Sequence, residues 1–167
     1  MRYNYIGNLK DQENHNIDEE KLVKWLTDHG YTEAIAVRAV EELVKASTNM
    51  QEGLYTANRE VYQLLKYGAK IKENADENET TVYFINWETP GENLFEIAEE
   101  VTVVANNEKR PDLVVYLNGI AVAVIELKKS TVSVSNGIRQ NLTNQREMFI
   151  APFFTTMQFC MAGNDSE

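Results

Sequence analysis

Two apolar segments, residues 111–117 and 120–127, meet at Asn118-Gly119. An Asn-Gly pair between β-prone runs is one of the strongest short-range hairpin signals, because both residues tolerate the positive φ that a tight, right-twisted hairpin turn demands. The two segments are almost continuously hydrophobic, which implies that both faces of the hairpin are covered. A hairpin of that kind belongs inside a layered α/β domain with a mixed sheet.

The surrounding sequence supplies the layers. Residues 18–29 carry Leu22, Val23, Trp25 and Leu26 at helical spacing, with acids at the start and Gly30 to close. Thr32 can cap a second helix built on Ile35, Val40, Leu43 and Val44, and a third is expected over 57–67, stopping at Gly68. After Gly68 the period falls to two. Strands are expected at 69–73, at 81–87, through 95–103 and at 154–162, with a helix at 136–148; helix competes with strand over 92–100. Residues 73–79 read as a solvated acidic loop. The chain ends just after the last expected strand, as though cut from something longer.

Composition narrows the function. The longest apolar run, residues 120–125, is far short of a membrane span, and residues 1–10 lack a secretory core, so a soluble cytoplasmic protein with no membrane contact is expected. Cys160 is the single cysteine; its neighbours Phe159 and Met161 suggest a buried thiol, and with only His15 and His29 beside it zinc is not expected. The net charge of −10 argues against strong non-specific DNA binding. Its distribution is uneven. Residues 1–100 hold 10 basic and 20 acidic side chains, residues 101–167 hold 6 of each, so an anionic ligand should meet the second part.

That second part contains Arg110-Pro-Asp112 and, fourteen residues on from Asp112, Glu126-Leu127-Lys128. Glu126 and Lys128 lie two apart on a strand and project from one face. A two-residue turn pairs 117 with 120 and 112 with 125, leaving Asp112 on the opposite face. A three-residue loop over 117–119 pairs 112 with 124 and restores a shared face, so that form, or an equivalent irregularity, is expected. Two carboxylates and an ammonium then converge. Hard carboxylate oxygens favour Mg²⁺, with the Leu127 carbonyl, water and a substrate phosphate completing the shell. Metal, water and a cation together suit phosphodiester hydrolysis. The plainer alternative is an exposed ion pair worth about 0–1 kcal/mol.

Three stretches, residues 58–68 (Asn-Arg-Glu-Val-Tyr-Gln-Leu-Leu-Lys-Tyr-Gly), 110–119 (Arg-Pro-Asp-Leu-Val-Val-Tyr-Leu-Asn-Gly) and 124–129 (Val-Ile-Glu-Leu-Lys-Lys), resemble the N-terminal nuclease domain of type I restriction enzyme R subunits. The resemblance implies the PD-(D/E)xK restriction-endonuclease-like fold, a mixed β-sheet flanked by helices, over residues 58–167, with a helical extension over 1–57. It implies that Asp112 and Glu126 bind metal, that Lys128 is catalytic, and that Gln140 matches the glutamine of the family's QxxxY motif. Asn144 stands where that motif has tyrosine; Gln145 with Phe149 has the spacing but no hydroxyl. Glu60 is a further candidate acid, set against a plain helix-face glutamate beside Arg59. The resemblance also implies double-stranded DNA as substrate, modification and specificity subunits as partners, and ATP-driven translocation by the full subunit. No GxxxxGK[ST] occurs in this chain, so it is not expected to bind ATP itself. A module of the same fold that only binds DNA or assembles the complex is the competing expectation.

Overall fold

The computed structural model describes residues 3–72 and 78–164. Three helices, α1 (Glu19–Asp28), α2 (Glu33–Thr48) and α3 (Leu54–Tyr67), follow a first strand, β1 (Asn4–Asn8). The starts of α1 and α2 are those expected: Asp18 accepts from Lys21 N, and Thr32 accepts from Ile35 N. Helix α3 starts at Leu54, three residues before the expected 57, after Gly53 and without a side-chain cap. Then come β2 (Ala69–Ile71), β3 (Thr80–Val82), β4 (Phe95–Glu99), β5 (Val103–Val104), β6 (Glu108–Lys109), β7 (Leu113–Leu117), β8 (Ile120–Leu127), α4 (Ser135–Asn144) and β9 (Phe159–Gly163).

Five strands form the main sheet in the order β1-β4-β7-β8-β9. The outer pairs, β1·β4 and β8·β9, are parallel and the inner two are antiparallel, so the sheet is mixed and the fold is α/β, as expected. One face carries Ala98, Val114, Tyr116, Ala121 and Val124 into a core closed by Ile150, Phe153, Phe154 and Met157. The α1–α2–α3 layer packs a second core around Leu22, Leu26, Leu43, Val61 and Phe84, and Ile120 of β8 joins it. The first 57 residues therefore share both sheet and core with the rest.

Several expectations are corrected. The strand expected over 81–87 stops at Val82, because Asn86 and Asn93 take over the backbone: Asn93 Oδ1 accepts from Asn86 N at 2.8 Å, and Asn93 Nδ2 donates back to Asn86 O at 2.8 Å. The long strand 95–103 breaks at Glu100, whose φ of 53° turns Val101 into the core. Strand prevails over helix there. The final strand begins only at Phe159, since Pro152 opens a 3₁₀ turn over Ala151–Thr155. Helix α4 ends at Asn144 rather than 148. β1 had no sequence signal, being polar. The acidic loop expected at 73–79 lies largely outside the described residues. Cys160 is exposed, not buried, because β9 is a sheet edge with Phe159 and Met161 also exposed. The second face of the sheet is covered only in part: Leu117, Ile120 and Val122 pack against the helical core at the hairpin end, and the rest of that face borders an open groove.

The hairpin turn is a second correction with a useful outcome. Asn118 (φ 55°) and Gly119 (φ 90°) make a two-residue turn with Leu117 opposite Ile120, not a three-residue loop. Asn118 is fully buried there; its side chain accepts from Leu94 N at 2.7 Å and donates to Phe84 O at 2.8 Å. The missing irregularity appears three residues later. Tyr116 pairs with Ala121 but Val115 with Ala123, so Val122 is an extra residue bulged out of β8. Its neighbours hold the bulge: Ala121 N donates to Asn16 O at 2.8 Å and Gln158 N donates to Val122 O at 2.8 Å. Beyond it Leu113 faces Ile125, and continuing that register sets Asp112 opposite Glu126.

Candidate active site

The bulge decides which face Glu126 occupies. With the slip, Glu126 joins Val114 and Val124 on the covered face, beneath α4. A carboxyl at the end of an otherwise apolar strand is thereby fully buried, at 0% exposure. Burial pushes its pKa from 4.5 up to about 7; the charge of Asp112 adds to the rise and the ammonium of Lys128 opposes it.

Four side chains meet here. Gln140, on α4, donates from Nε2 to Glu126 Oε2 at 2.7 Å and accepts from Lys128 Nζ at 2.8 Å. Lys128 Nζ lies 3.6 Å from Glu126 Oε2 and 4.0 Å from Asp112 Oδ2. Asp112 Oδ2 accepts from Leu127 N at 2.7 Å, which ties the end of β7 to the end of β8. The remaining oxygen, Glu126 Oε1, is buried and accepts from no N–H or hydroxyl, and the Asp112 carboxyl lies close enough to share a proton with Glu126 when one of the two is protonated. Such an orphan is costly, roughly 1–3 kcal/mol for a polar group and more for a charged one.

Helix α4 reaches this depth through a residue that sequence reasoning passed over. A Cβ at Gly137 would sit 2.8 Å from the Ala162 Cβ and 3.5 Å from the Glu126 Cβ. Glycine lets the helix lie directly on β8 and β9, and Gln140 follows one turn later on the same side. The signal was available as a glycine inside a helical pattern. Asn141 Nδ2 donates to Met161 O at 2.9 Å and helps fix the helix to β9.

Of the expected residues, the structure brings together Asp112, Glu126, Lys128 and Gln140, with the Leu127 backbone alongside. It does not bring Glu60 to them. That carboxylate lies on α3 and accepts from Asn49 Nδ2 at 3.5 Å. Gln145 does not substitute for Gln140: its Nε2 reaches Cys160 Sγ at 3.8 Å, while Phe149 lies under Lys109, whose Nζ is 4.4 Å from the ring centroid. Asn144 is buried, and its carbonyl accepts from Ile150 N at 3.2 Å. Arg110 pairs with Glu100 at 3.3 Å beside the cluster, both side chains about half exposed.

The family model for the N terminus of type I restriction enzyme R proteins matches residues 2–167. The chain belongs to this family. Two curated relatives are consistent with that membership. A Methanocaldococcus jannaschii protein with the provisional name of type I restriction enzyme MjaIXP endonuclease subunit is 29% identical over 126 residues, covering 70% of this chain and 12% of the relative. The type I restriction enzyme HindI endonuclease subunit of Haemophilus influenzae is 27% identical over 95 residues, 54% of this chain and 9% of its own. The chain thus spans about a tenth of the length of these relatives. Among the described residues no helix is long and apolar enough to cross a membrane.

Proposed function

We propose that this chain is the Mg²⁺-dependent DNA endonuclease domain of a type I restriction enzyme R subunit, and that Asp112, Glu126, Lys128 and Gln140 carry phosphodiester hydrolysis. The observation that carries the reading is Glu126 Oε1, a buried carboxylate oxygen left without a partner beside a second carboxylate. A hard cation accounts for it: the ion would satisfy the orphan and hold Glu126 ionised. Among the described residues no three His, Cys, Asp or Glu side chains converge. Asp112, Glu126 and the Leu127 carbonyl would therefore hold the ion with water and a DNA phosphate completing its shell, which suits Mg²⁺. When bound, the ion supplies Lewis-acid polarisation of the phosphate and a more acidic water.

The protein's own groups divide the remaining work. Glu126 loses its proton near neutral pH to become a ligand. Gln140 fixes both Glu126 and Lys128, so the ammonium is held at a defined place rather than free to sweep the surface. Lys128 sits where it can orient the attacking water or stabilise charge building on the phosphate oxygens. In the full subunit this domain works with an ATP-driven translocase and with modification and specificity subunits in the cytoplasm, on double-stranded DNA. The acidity of residues 1–100 keeps the domain from gripping DNA alone.

The test is plasmid cleavage by the parent subunit complex with Mg²⁺ and ATP, comparing wild type with Lys128→Ala. Loss of cutting with ATP hydrolysis retained is the expected result. Equal cutting by both removes Lys128 from the mechanism and favours a module that binds without cleaving.

A further inference from the structure

Glu100 is an odd residue for its place. Its φ of 53° lies in the left-handed region, where a Cβ crowds the following carbonyl and glycine sits unstrained. The other non-glycine residue in that region, among the described residues, is Asn118, which suits a turn. The break at Glu100 sends Val101 into the core, where it is fully buried. Glycine would achieve that with less strain. What glutamate adds is a carboxylate, and that carboxylate faces Arg110, whose Nε is 3.3 Å from Glu100 Oε2. Strain retained beside a candidate active site, where an unstrained residue exists, points to use.

Glu100 also reaches the candidate site through its backbone. Its N–H donates to Asp112 O at 2.9 Å, and Val101 N donates to Pro111 O at 3.1 Å. One residue thus ties down the main chain of the expected metal-binding acid and the side chain of the cation two positions before it. The contact with Arg110 is an ion pair rather than a hydrogen bond, so among the described residues the guanidinium donates to no acceptor. Other cations are committed: Arg38 and Arg139 donate to Lys72 O and Asn136 Oδ1, and Lys109 lies over the Phe149 ring. Arg110 is held in place with its donors open.

We propose that Arg110 grips a DNA phosphate next to the one that is cleaved, and that Glu100 is the positioning residue that holds the guanidinium for it. This rests on the nuclease reading of the neighbouring cluster. A guanidinium presents parallel N–H groups that match two oxygens of one phosphate, which an ammonium cannot do. Pro111 lies between Arg110 and Asp112, and its ring fixes φ, so phosphate grip and metal seat are joined by a stiff link. Before DNA arrives Glu100 neutralises Arg110. Once DNA is bound, the same carboxylate stands near a phosphate and repels it. Glu100 therefore weakens binding while it fixes geometry.

The experiment has two arms. In the parent subunit complex with Mg²⁺ and ATP, plasmid cleavage and ATP hydrolysis are followed for Arg110→Ala, Arg110→Lys, Glu100→Gln and Lys128→Ala. Arg110→Ala should cut about 10- to 100-fold more slowly with ATP hydrolysis retained, the effect of losing one charged hydrogen-bonding contact, and lysine should restore little. With this chain alone, anisotropy on a DNA duplex over a salt series reads the grip directly. Arg110→Ala should reduce the slope of log K against log salt by about 0.9, the share of one phosphate. Glu100→Gln should bind the duplex more tightly than wild type yet cut more slowly, a split that misfolding, which weakens both, does not produce. Wild-type cutting and an unchanged salt slope in Arg110→Ala overturn the proposal, even where Lys128→Ala is inactive and the nuclease reading stands. Wild-type cutting by Glu100→Gln overturns the positioning role. Full cutting by Lys128→Ala is the separate result that defeats the nuclease reading, and this proposal with it.

Discussion

Glu126→Gln is the most informative single change, because the burial of the carboxyl fixes its sign and gives its order of magnitude. The folded state holds the Glu126 carboxyl at about 7 against 4.5 for the free group. For an acid with a raised pKa, folding is favoured by the protonated form. The contribution is fully present below 4.5 and is lost as pH rises toward and through 7, because the unfolded chain releases the proton first. Integrating the two titrations from pH 5 to pH 8 gives a loss of about 2–3 kcal/mol in unfolding free energy from this one group. Glutamine keeps an acceptor for Gln140 Nε2 and cannot ionise, so the variant lacks this part of the decline. Urea titrations of both proteins at pH 5 and pH 8, in chelator, measure it. Relative to wild type, the variant should gain about 2–3 kcal/mol on moving to pH 8. Adding Mg²⁺ at pH 8 should recover stability in the wild type only. Parallel pH profiles would mean that Glu126 is not strained by its surroundings, and the reasoning about an orphaned carboxylate would fail with it.

Gly137→Ala should cost about 1–3 kcal/mol, despite alanine's better helix propensity, because the new methyl meets Ala162 at 2.8 Å; thermal melts will show it. Asn118→Ala removes the partners of Leu94 N and Phe84 O at a left-handed position, and should cost at least about 3 kcal/mol by urea titration. Fluorescence anisotropy with a DNA duplex should show weak binding by this chain that falls steeply with salt; submicromolar binding in physiological salt would contradict the role given to its acidity.

Legibility followed the range of the signal. Helix starts were readable because capping is local, as Asp18 and Thr32 show. The candidate cluster was readable only as a condition. Sequence showed that a one-residue slip was needed to bring Asp112 and Glu126 together, and placed it in the turn or in an equivalent irregularity. The slip lies at Val122, whose backbone is held by Gln158, with Asn16 beside it on Ala121, partners remote in sequence that no local pattern reveals. β1 escaped notice because its place is set by pairing with β4 rather than by an apolar alternation of its own. Cys160 was misread for a related reason: apolar neighbours signal burial only when a further layer or strand covers them, and β9 is an edge. Glu60 was offered by helix position alone, and its side chain turns to Asn49.

The central claim is that the orphaned oxygen of Glu126 and the carboxylate of Asp112 form one divalent-cation seat. A crystal of this chain soaked in Mn²⁺, used as an anomalous stand-in for Mg²⁺, tests it directly. The account predicts a single anomalous peak at about 2.0–2.3 Å from Glu126 Oε1 and from an Asp112 oxygen, abolished by Glu126→Gln. A cluster that stays free of metal at saturating Mn²⁺, with Glu126 Oε1 still unpartnered, contradicts it.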